Sequence, residues 1–194
     1  MLRFIGFYDY TVILTYLSLV CAVTGMTLSS QGSFGWAIFC LFLSGVCDGF
    51  DGTVARSKKN RTADEKAFGI QLDSLCDVIS FGVFPAFWCF SMGVRSVPGI
   101  AILCAYCICA VIRLAFFNVM EGKRQETESG CNKVYRGLPV TTAAMIFPVL
   151  YLLGLVVPET VYTVLLHAVP GVTAFLFVLD FPVKKPNLTK CHIQ

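Results

Sequence analysis

Charge is what this chain has least of. Asp, Glu, Lys and Arg make up 14% of its 194 residues, against 56% that are hydrophobic, where a soluble domain carries about 25% charged residues. That shortage excludes an ordinary water-soluble fold. Histidine is nearly absent, with two residues, and neither these nor the cysteines share a helix face with the acids of the apolar segments, which disfavours zinc. The ten cysteines form no evenly spaced framework of the kind that staples small secreted domains, since all but Cys131 and Cys191 lie in apolar segments. Cys104-x2-Cys107 sits in ILCAYCICAVI with no polar neighbour, and reads as small apolar helix residues rather than a redox or metal pair. The basic residues form no stripe, so nucleic acid is excluded as a partner. No long linker, internal repeat, heptad run or low-complexity tract divides the chain, which leaves one domain over residues 1–194. The first apolar segment has no small-x-small cleavage signal after it and is expected to be a span, not a leader.

What the chain has instead is long apolar runs. A span needs about 20 mostly apolar residues, and six segments qualify: 10–28, 34–55, 69–92, 97–120, 138–157 and 161–181. Turn-forming residues separate them, among them Ser29 to Ser33, Pro98-Gly99 and Pro158, with Pro182 and Pro186 after the last. The expected fold is an all-α membrane protein, a bundle of six transmembrane helices. All but Arg95 and Arg113 of the fifteen Lys and Arg fall on the side of the loop between the second and third spans. The positive-inside bias makes that side cytoplasmic. An even span count then puts both termini there, in a multi-pass cytoplasmic (inner) membrane protein. Trp36 and Trp88 would both lie at the outer interface. Residues 1–9 suit the inner headgroup layer or a frayed start, and residues 182–194 read as a basic tail.

Against this background one stretch stands out, running from Asp48 to Asp77. Asp48, Asp51, Gly52 and Ala55 are spaced i, i+3, i+4, i+7 on the second span, and Gly69, Asp73, Asp77 and Ser80 form a similar stripe on the third. Adjacent antiparallel helices bring the two stripes to a common depth, about 6 to 12 Å inside the helix ends at 1.5 Å per residue. Each mid-span Asp costs roughly 2.5–3.5 kcal/mol to insert, so four cost on the order of 10 kcal/mol before they repel one another. Divalent cations are the natural compensation. Magnesium and manganese take all-oxygen sites completed by water and phosphate, and two of them held by carboxylates favour phosphoryl-type chemistry. Gly52 leaves room for a nucleotide, and Arg56 is placed to neutralise a phosphate. The polar segment between the stripes reads as a solvated connector. Pro85 should kink the third span, because its missing donor frees a carbonyl. Arg113 must face the bundle or snorkel. Thr141 and Thr142 would satisfy free amides at the start of the fifth span.

The fixed positions Asp48, Asp51, Gly52, Ala55, Arg56, Gly69, Asp73 and Asp77 resemble the signature of the CDP-alcohol phosphotransferases, and the six-span organisation extends the resemblance over nearly the whole chain. One departure is the spacer between the two half-motifs, twelve residues here where the family pattern has eight. Within the family, the run Leu72 to Val83, Arg113-Leu114-Ala115 with Phe117-Asn118, and Gly137-Leu138-Pro139 are similar to the membrane-embedded bacterial phosphatidylserine synthases. Phe116 stands where that group would have Arg. The resemblance implies transfer of the phosphatidyl group from CDP-diacylglycerol to L-serine, giving phosphatidylserine and CMP in phospholipid biosynthesis. It further implies that Asp48, Asp51, Asp73 and Asp77 hold two divalent cations, magnesium or manganese. Asp77 would also be the general base, and Gly52, Arg56 and Gly69 would line the CDP-diacylglycerol site. A homodimer is the implied assembly. Arg113 and Arg136 are candidates to hold the serine carboxylate and Asn118 to help with its ammonium. Two rival readings remain: another family member such as phosphatidylglycerophosphate synthase, and a cation- or proton-coupled transporter, since intramembrane acids also mark ion paths.

Overall fold

The computed structural model describes residues 6–7, 10–58, 62–127 and 134–184. Most of the N-terminal stretch 1–9 and all of the tail beyond Lys184 lie outside them. A 3-10 turn, Tyr10–Val12, leads into α1 (Ile13–Ser30), followed by α2 (Phe34–Ser57), α3 (Ala63–Asp77), a π-helical segment (Val78–Val83), α4 (Phe84–Ser91), α5 (Val97–Thr127), α6 (Ala143–Gly154) and α7 (Glu159–Val178). The segment from α3 through α4 is one continuous apolar helix, Ala63–Ser91.

The face that α1 buries carries Thr11, Thr15, Ser18, Ala22, Gly25 and Ser29, spaced by threes and fours as one helical stripe. Its opposite face exposes Ile13, Leu17 and Val20. Small and hydroxyl residues inward with branched apolar residues outward is the pattern of a helix in lipid, where close backbone packing and internal hydrogen bonds hold the bundle. At the far end of α1, Gly32 has φ +78° and Ser33 N–H closes on Leu28 O at 2.9 Å. This tight reversal lays α2 antiparallel along α1. α5 pairs with α7 in the same close manner, while α6 lies against α2 and α7, and α4 against α1 and α5. The shared core holds Phe81, Phe84, Trp88, Tyr106, Phe147 and Phe177, all nearly or fully buried. The chain is a multi-pass, all-α membrane protein.

Four expectations are corrected. Among the described residues five helices are long and apolar enough to cross a membrane, Tyr10–Ser30, Phe34–Val54, Ala63–Ser91, Val97–Met120 and Glu159–Val178, while the expected fifth span, 138–157, is a shorter apolar helix, Val140–Gly154. At about 22 Å it is shorter than the roughly 30 Å of a hydrocarbon core, yet it still leads to the far end of α7, because residues 134–136 before it pair with residues 182–184 after α7. Pro139 precedes its opening 3-10 turn, and its last carbonyls close in a turn after Gly154. Thr141 and Thr142 do not cap it; the Thr142 hydroxyl instead donates to Pro139 O at 2.6 Å. Trp88 is no interfacial ring. It is fully buried, edge-on to Phe147 and Tyr151, whereas Trp36 is exposed.

The fourth correction concerns the lengthened spacer. α2 continues to Ser57 and α3 already begins at Ala63, so the extra residues mostly lengthen helices rather than a loop. Thr62 and Glu65 form a reciprocal capping box, with Glu65 N–H donating to Thr62 Oγ1 at 3.2 Å and Thr62 N–H to Glu65 Oε2 at 2.9 Å. Lys58 bridges to Glu65 at 3.2 Å, tying the end of α2 to the start of α3. On the same side of the bundle a two-stranded antiparallel ladder pairs β1 (Val134–Arg136) with β2 (Pro182–Lys184), a small addition to an otherwise helical fold.

α2 and α6 approach closely where Gly45 faces Ala144: a Cβ on Gly45 would overlap the Ala144 methyl. Gly49, one turn further on, faces open space. Gly45→Val should therefore destabilise the bundle by about 1–3 kcal/mol through overpacking. Gly49→Ala should be neutral or stabilise by up to about 1 kcal/mol through helix propensity. Thermal unfolding in detergent compares the two, and equal midpoints would contradict the close α2–α6 contact.

Candidate active site

The site is built where α2 and α3 run side by side. Asp48 and Asp51 stand one turn apart on α2, and Asp73 and Asp77 one turn apart on α3. Asp77 is buried, with 7% of its surface exposed, and the other three are half-buried. Asp48, Asp73 and Asp77 each offer an oxygen, and these oxygens lie within 4.8 Å of one another. Asp51 is outside that group, although its carboxyl adjoins Asp73 as Asp48 adjoins Asp77. Three of the four expected ligands thus converge directly, and the fourth flanks them.

One oxygen of Asp73 is buried with no hydrogen-bond partner among the described residues. A buried acceptor without a donor is costly, and a cation supplies what is missing. The donors are all carboxylate oxygens, the set that a hard divalent ion takes. The residues present therefore fit a divalent metal.

A second layer of polar groups lies beneath the acids, of which the sequence had placed only Ser80 on an acidic stripe. Thr15 of α1 donates to Asp51 Oδ2 at 3.3 Å. The hydroxyls of Ser18 on α1 and Ser44 on α2 are hydrogen-bonded at 2.7 Å, and Ser80 of the π segment lies 3.5 Å from Ser18. Ser44 also donates to Ser18 O at 3.2 Å. All three serines are buried. Ser44 is four residues before Asp48 and Ser80 three after Asp77, so each hydroxyl sits about one turn deeper than an acid on its own helix. The signal was available: Thr11, Thr15 and Ser18 are spaced i, i+4, i+7 on the first span. They read as unremarkable hydroxyls until the fold turned them toward α2.

The other expected site residues divide into three groups. Gly52 and Gly69 are half-buried beside the acids, next to Asp51 on α2 and one turn before Asp73 on α3. Arg56 lies in the last turns of α2 and Arg136 in β1, with their side chains outside the described residues. Arg113 and Asn118 are placed in structural contacts. Arg113 is buried, and its Nε donates to Leu138 O at 3.1 Å. Gly137, with φ +72°, has no room for a Cβ, which would lie 2.9 Å from Leu179 O, and its N–H donates to Phe181 O at 2.8 Å. Arg113, the Gly137-Leu138-Pro139 turn and the chain after α7 thus lock together. Asn118 exchanges two hydrogen bonds with Ser74, at 3.0 and 2.9 Å, which fastens α5 to α3 beside Asp73.

This packing of like charges gives a signed expectation. In metal-free protein Asp73→Asn should raise the unfolding midpoint, because it removes one carboxylate from a crowded group. Adding manganese should stabilise the wild-type protein by about 2.7 kcal/mol at a hundred times its dissociation constant, and the variant by much less. An equal manganese-induced rise in both would remove Asp73 from the site.

The sequence matches the CDP-alcohol phosphatidyltransferase family model over residues 10–179. It is 33% identical over 158 residues to a CDP-diacylglycerol–serine O-phosphatidyltransferase of Saccharomyces cerevisiae, covering 78% of this chain and 55% of that protein. It is 36% identical over 142 residues to an archaetidylserine synthase of Methanothermobacter thermautotrophicus, covering 71% and 57%. To a CDP-diacylglycerol–serine O-phosphatidyltransferase of Bacillus subtilis it is 31% identical over 156 residues, covering 79% and 76%. The chain therefore spans little more than half the length of the first two and about three quarters of the third. With the acidic pattern assembled on α2 and α3 inside the matched residues, the chain belongs to the CDP-alcohol phosphatidyltransferase family.

Proposed function

We propose that this protein transfers the phosphatidyl group of CDP-diacylglycerol to the hydroxyl of L-serine, releasing CMP. The observation that carries the proposal is the convergence of Asp48, Asp73 and Asp77, flanked by Asp51, between two membrane-spanning helices. Such a site suits a lipid-linked pyrophosphate, whose tails stay in the bilayer while its nucleotide end reaches water. The names of the similar proteins support serine as the acceptor: the yeast, archaeal and Bacillus relatives all have serine in theirs.

In this reading the serine oxygen attacks the phosphorus that carries diacylglycerol, and the bond from that phosphorus to the CMP oxygen breaks. A hydroxyl is a weak nucleophile at neutral pH, so a positioned base must take its proton. Asp77 is that base, because it is the most buried of the four acids and is held between Asp48 and the serine layer. Two divalent cations, magnesium or manganese, bound by Asp48, Asp51, Asp73 and Asp77, would neutralise the pyrophosphate and ease departure of CMP. Gly52, Gly69 and Arg56 border the nucleotide end; Gly52 and Gly69 leave space for it and Arg56 offers charge to a phosphate. Arg113, whose Nε holds the Gly137-Leu138-Pro139 turn, is one cation offered to the serine carboxylate, and Asn118 is the group offered to its ammonium. Arg136, at the end of β1, is the other cation. The α2–α3 connection faces the cytoplasm of an inner-membrane protein with both termini on that side, following the positive-inside bias. The single domain acts as a homodimer.

The test is CMP release from CDP-diacylglycerol by the protein in membranes, with serine or glycerol 3-phosphate, with and without magnesium or manganese. Release that requires both serine and metal, with phosphatidylserine as product, is expected. Release only with glycerol 3-phosphate would overturn the choice of acceptor. Asp77→Asn should lower turnover by about 10²–10⁴-fold, the usual contribution of a general base, while keeping part of the metal-dependent binding of CDP-diacylglycerol. Asp48→Asn should lose both, and wild-type turnover in either variant would refute the assigned roles.

A further inference from the structure

The helix that carries Asp73 and Asp77 changes its winding directly after Asp77. Residues Val78–Val83 are π-helical, and Phe84 N–H closes on Ile79 O, five residues back. Single π turns inside α-helices are uncommon and concentrate at functional sites. The extra residue in the turn rotates everything on one side of it by about 100° relative to an uninterrupted α-helix. The orientation of Asp77 relative to the buried residues that follow it therefore depends on this segment keeping its register.

The sequence explains half of how the register is kept. Pro85 has no N–H, so the bond that residue 85 would make to Phe81 O in an α-helical register cannot form. The structure supplies the other half from α5. The Tyr106 hydroxyl donates to Phe81 O at 2.6 Å, and the adjacent Cys107 thiol lies 3.6 Å from Gly82 O. Two successive side chains of α5 thus address two successive carbonyls of the π segment. Tyr106 is fully buried, with its ring against Phe147 at 5.7 Å and Phe177 at 5.5 Å, so its position is set by the core and not by the site. On the other face of the same segment Ser80 reaches Ser18.

We propose that Tyr106 is a positioning residue for Asp77: its hydroxyl, bonded to the Phe81 carbonyl, holds the π register that keeps Asp77 turned toward Asp48. Tyr106 touches neither the acids nor any substrate; it acts through the backbone of the Asp77 helix. The inference deepens the reading above, because the group it positions is the proposed base and metal ligand.

Tyr106→Phe removes only the hydroxyl and keeps the ring in its packing. Adding Pro85→Ala returns a backbone donor that can satisfy Phe81 O, but in the α-helical register. The double variant thus separates the missing hydrogen bond from the register it holds. Full-length wild type and both variants in lipid nanodiscs should be compared by unfolding midpoint, by manganese binding measured from the free-ion electron paramagnetic resonance signal, and by serine-dependent CMP release. Tyr106→Phe should lower the midpoint and weaken manganese binding and turnover by about 10–100-fold, the range seen when groups supporting metal ligands are removed, with little change in KM for CDP-diacylglycerol. The double variant should regain the midpoint and regain neither manganese affinity nor turnover. Wild-type manganese affinity in the double variant would overturn the proposal, leaving Tyr106 a purely structural residue. So would wild-type affinity and turnover in Tyr106→Phe. Should wild type release no CMP with serine, the proposed reaction fails, while the manganese and midpoint comparison still decides the role of Tyr106.

Discussion

Four carboxylates set between apolar helices must be turned away from lipid, and the arrangement of α1, α2 and α3 follows from that requirement. An acid facing hydrocarbon costs several kcal/mol. Gathering all four on the α2–α3 seam exchanges that cost for mutual repulsion, which a cation then relieves. The buried Asp73 oxygen that no donor among the described residues reaches is where the exchange is most visible. The acids also explain why α1, a helix with no charge between Ile13 and Ser30, buries a stripe of hydroxyls. Thr15 reaches Asp51, and Ser18 joins Ser44 and Ser80 one turn deeper. Neutral donors of this kind fix the helices that bear the acids without adding further charge.

The same economy appears around the site. Two of the candidate site residues also hold the frame. Arg113 reaches Leu138 O, and Asn118 is engaged with Ser74. A buried guanidinium bonded to a carbonyl keeps a reversal of the chain in place where a membrane offers no water to do so. The β1–β2 ladder and the bond from Gly137 N–H to Phe181 O close the same corner. Among the described residues, this end of the bundle is therefore bounded by backbone that hydrogen bonds hold. The extended spacer is consistent with this, since Thr62 and Glu65 cap α3 early and Lys58 ties the end of α2 to it.

The reading of the chemistry combines this frame with the family match over residues 10–179. A pyrophosphate lipid has to meet a water-soluble acceptor at the depth where its headgroup lies; Asp48 and Asp51 lie in the last turns of α2, while Asp77 is at the middle of the continuous Ala63–Ser91 helix.

Much of this was written in the sequence. Low charge and long apolar runs fixed the class, because few soluble chains tolerate either. The spacing of Asp48, Asp51, Asp73 and Asp77 fixed which helix faces carry the site, because a helix repeats every 3.6 residues whatever surrounds it. Pro85 announced a freed carbonyl by its chemistry alone. What the sequence left open depended on partners far along the chain. That Tyr106 supplies the donor for Phe81 O, that Trp88 is buried rather than interfacial, and that Arg113 holds a turn are contacts between residues distant in sequence, and local pattern does not encode them. The shortness of α6 likewise emerges only once its 3-10 start and early turn are seen. As for the Asp48–Asp77 stretch, the sequence placed four acids on two stripes. Only the packing of α1, α2 and α3 decided that three of them converge while Asp51 flanks them against Thr15, because the relative rotation of the helices is set by the side chains between them.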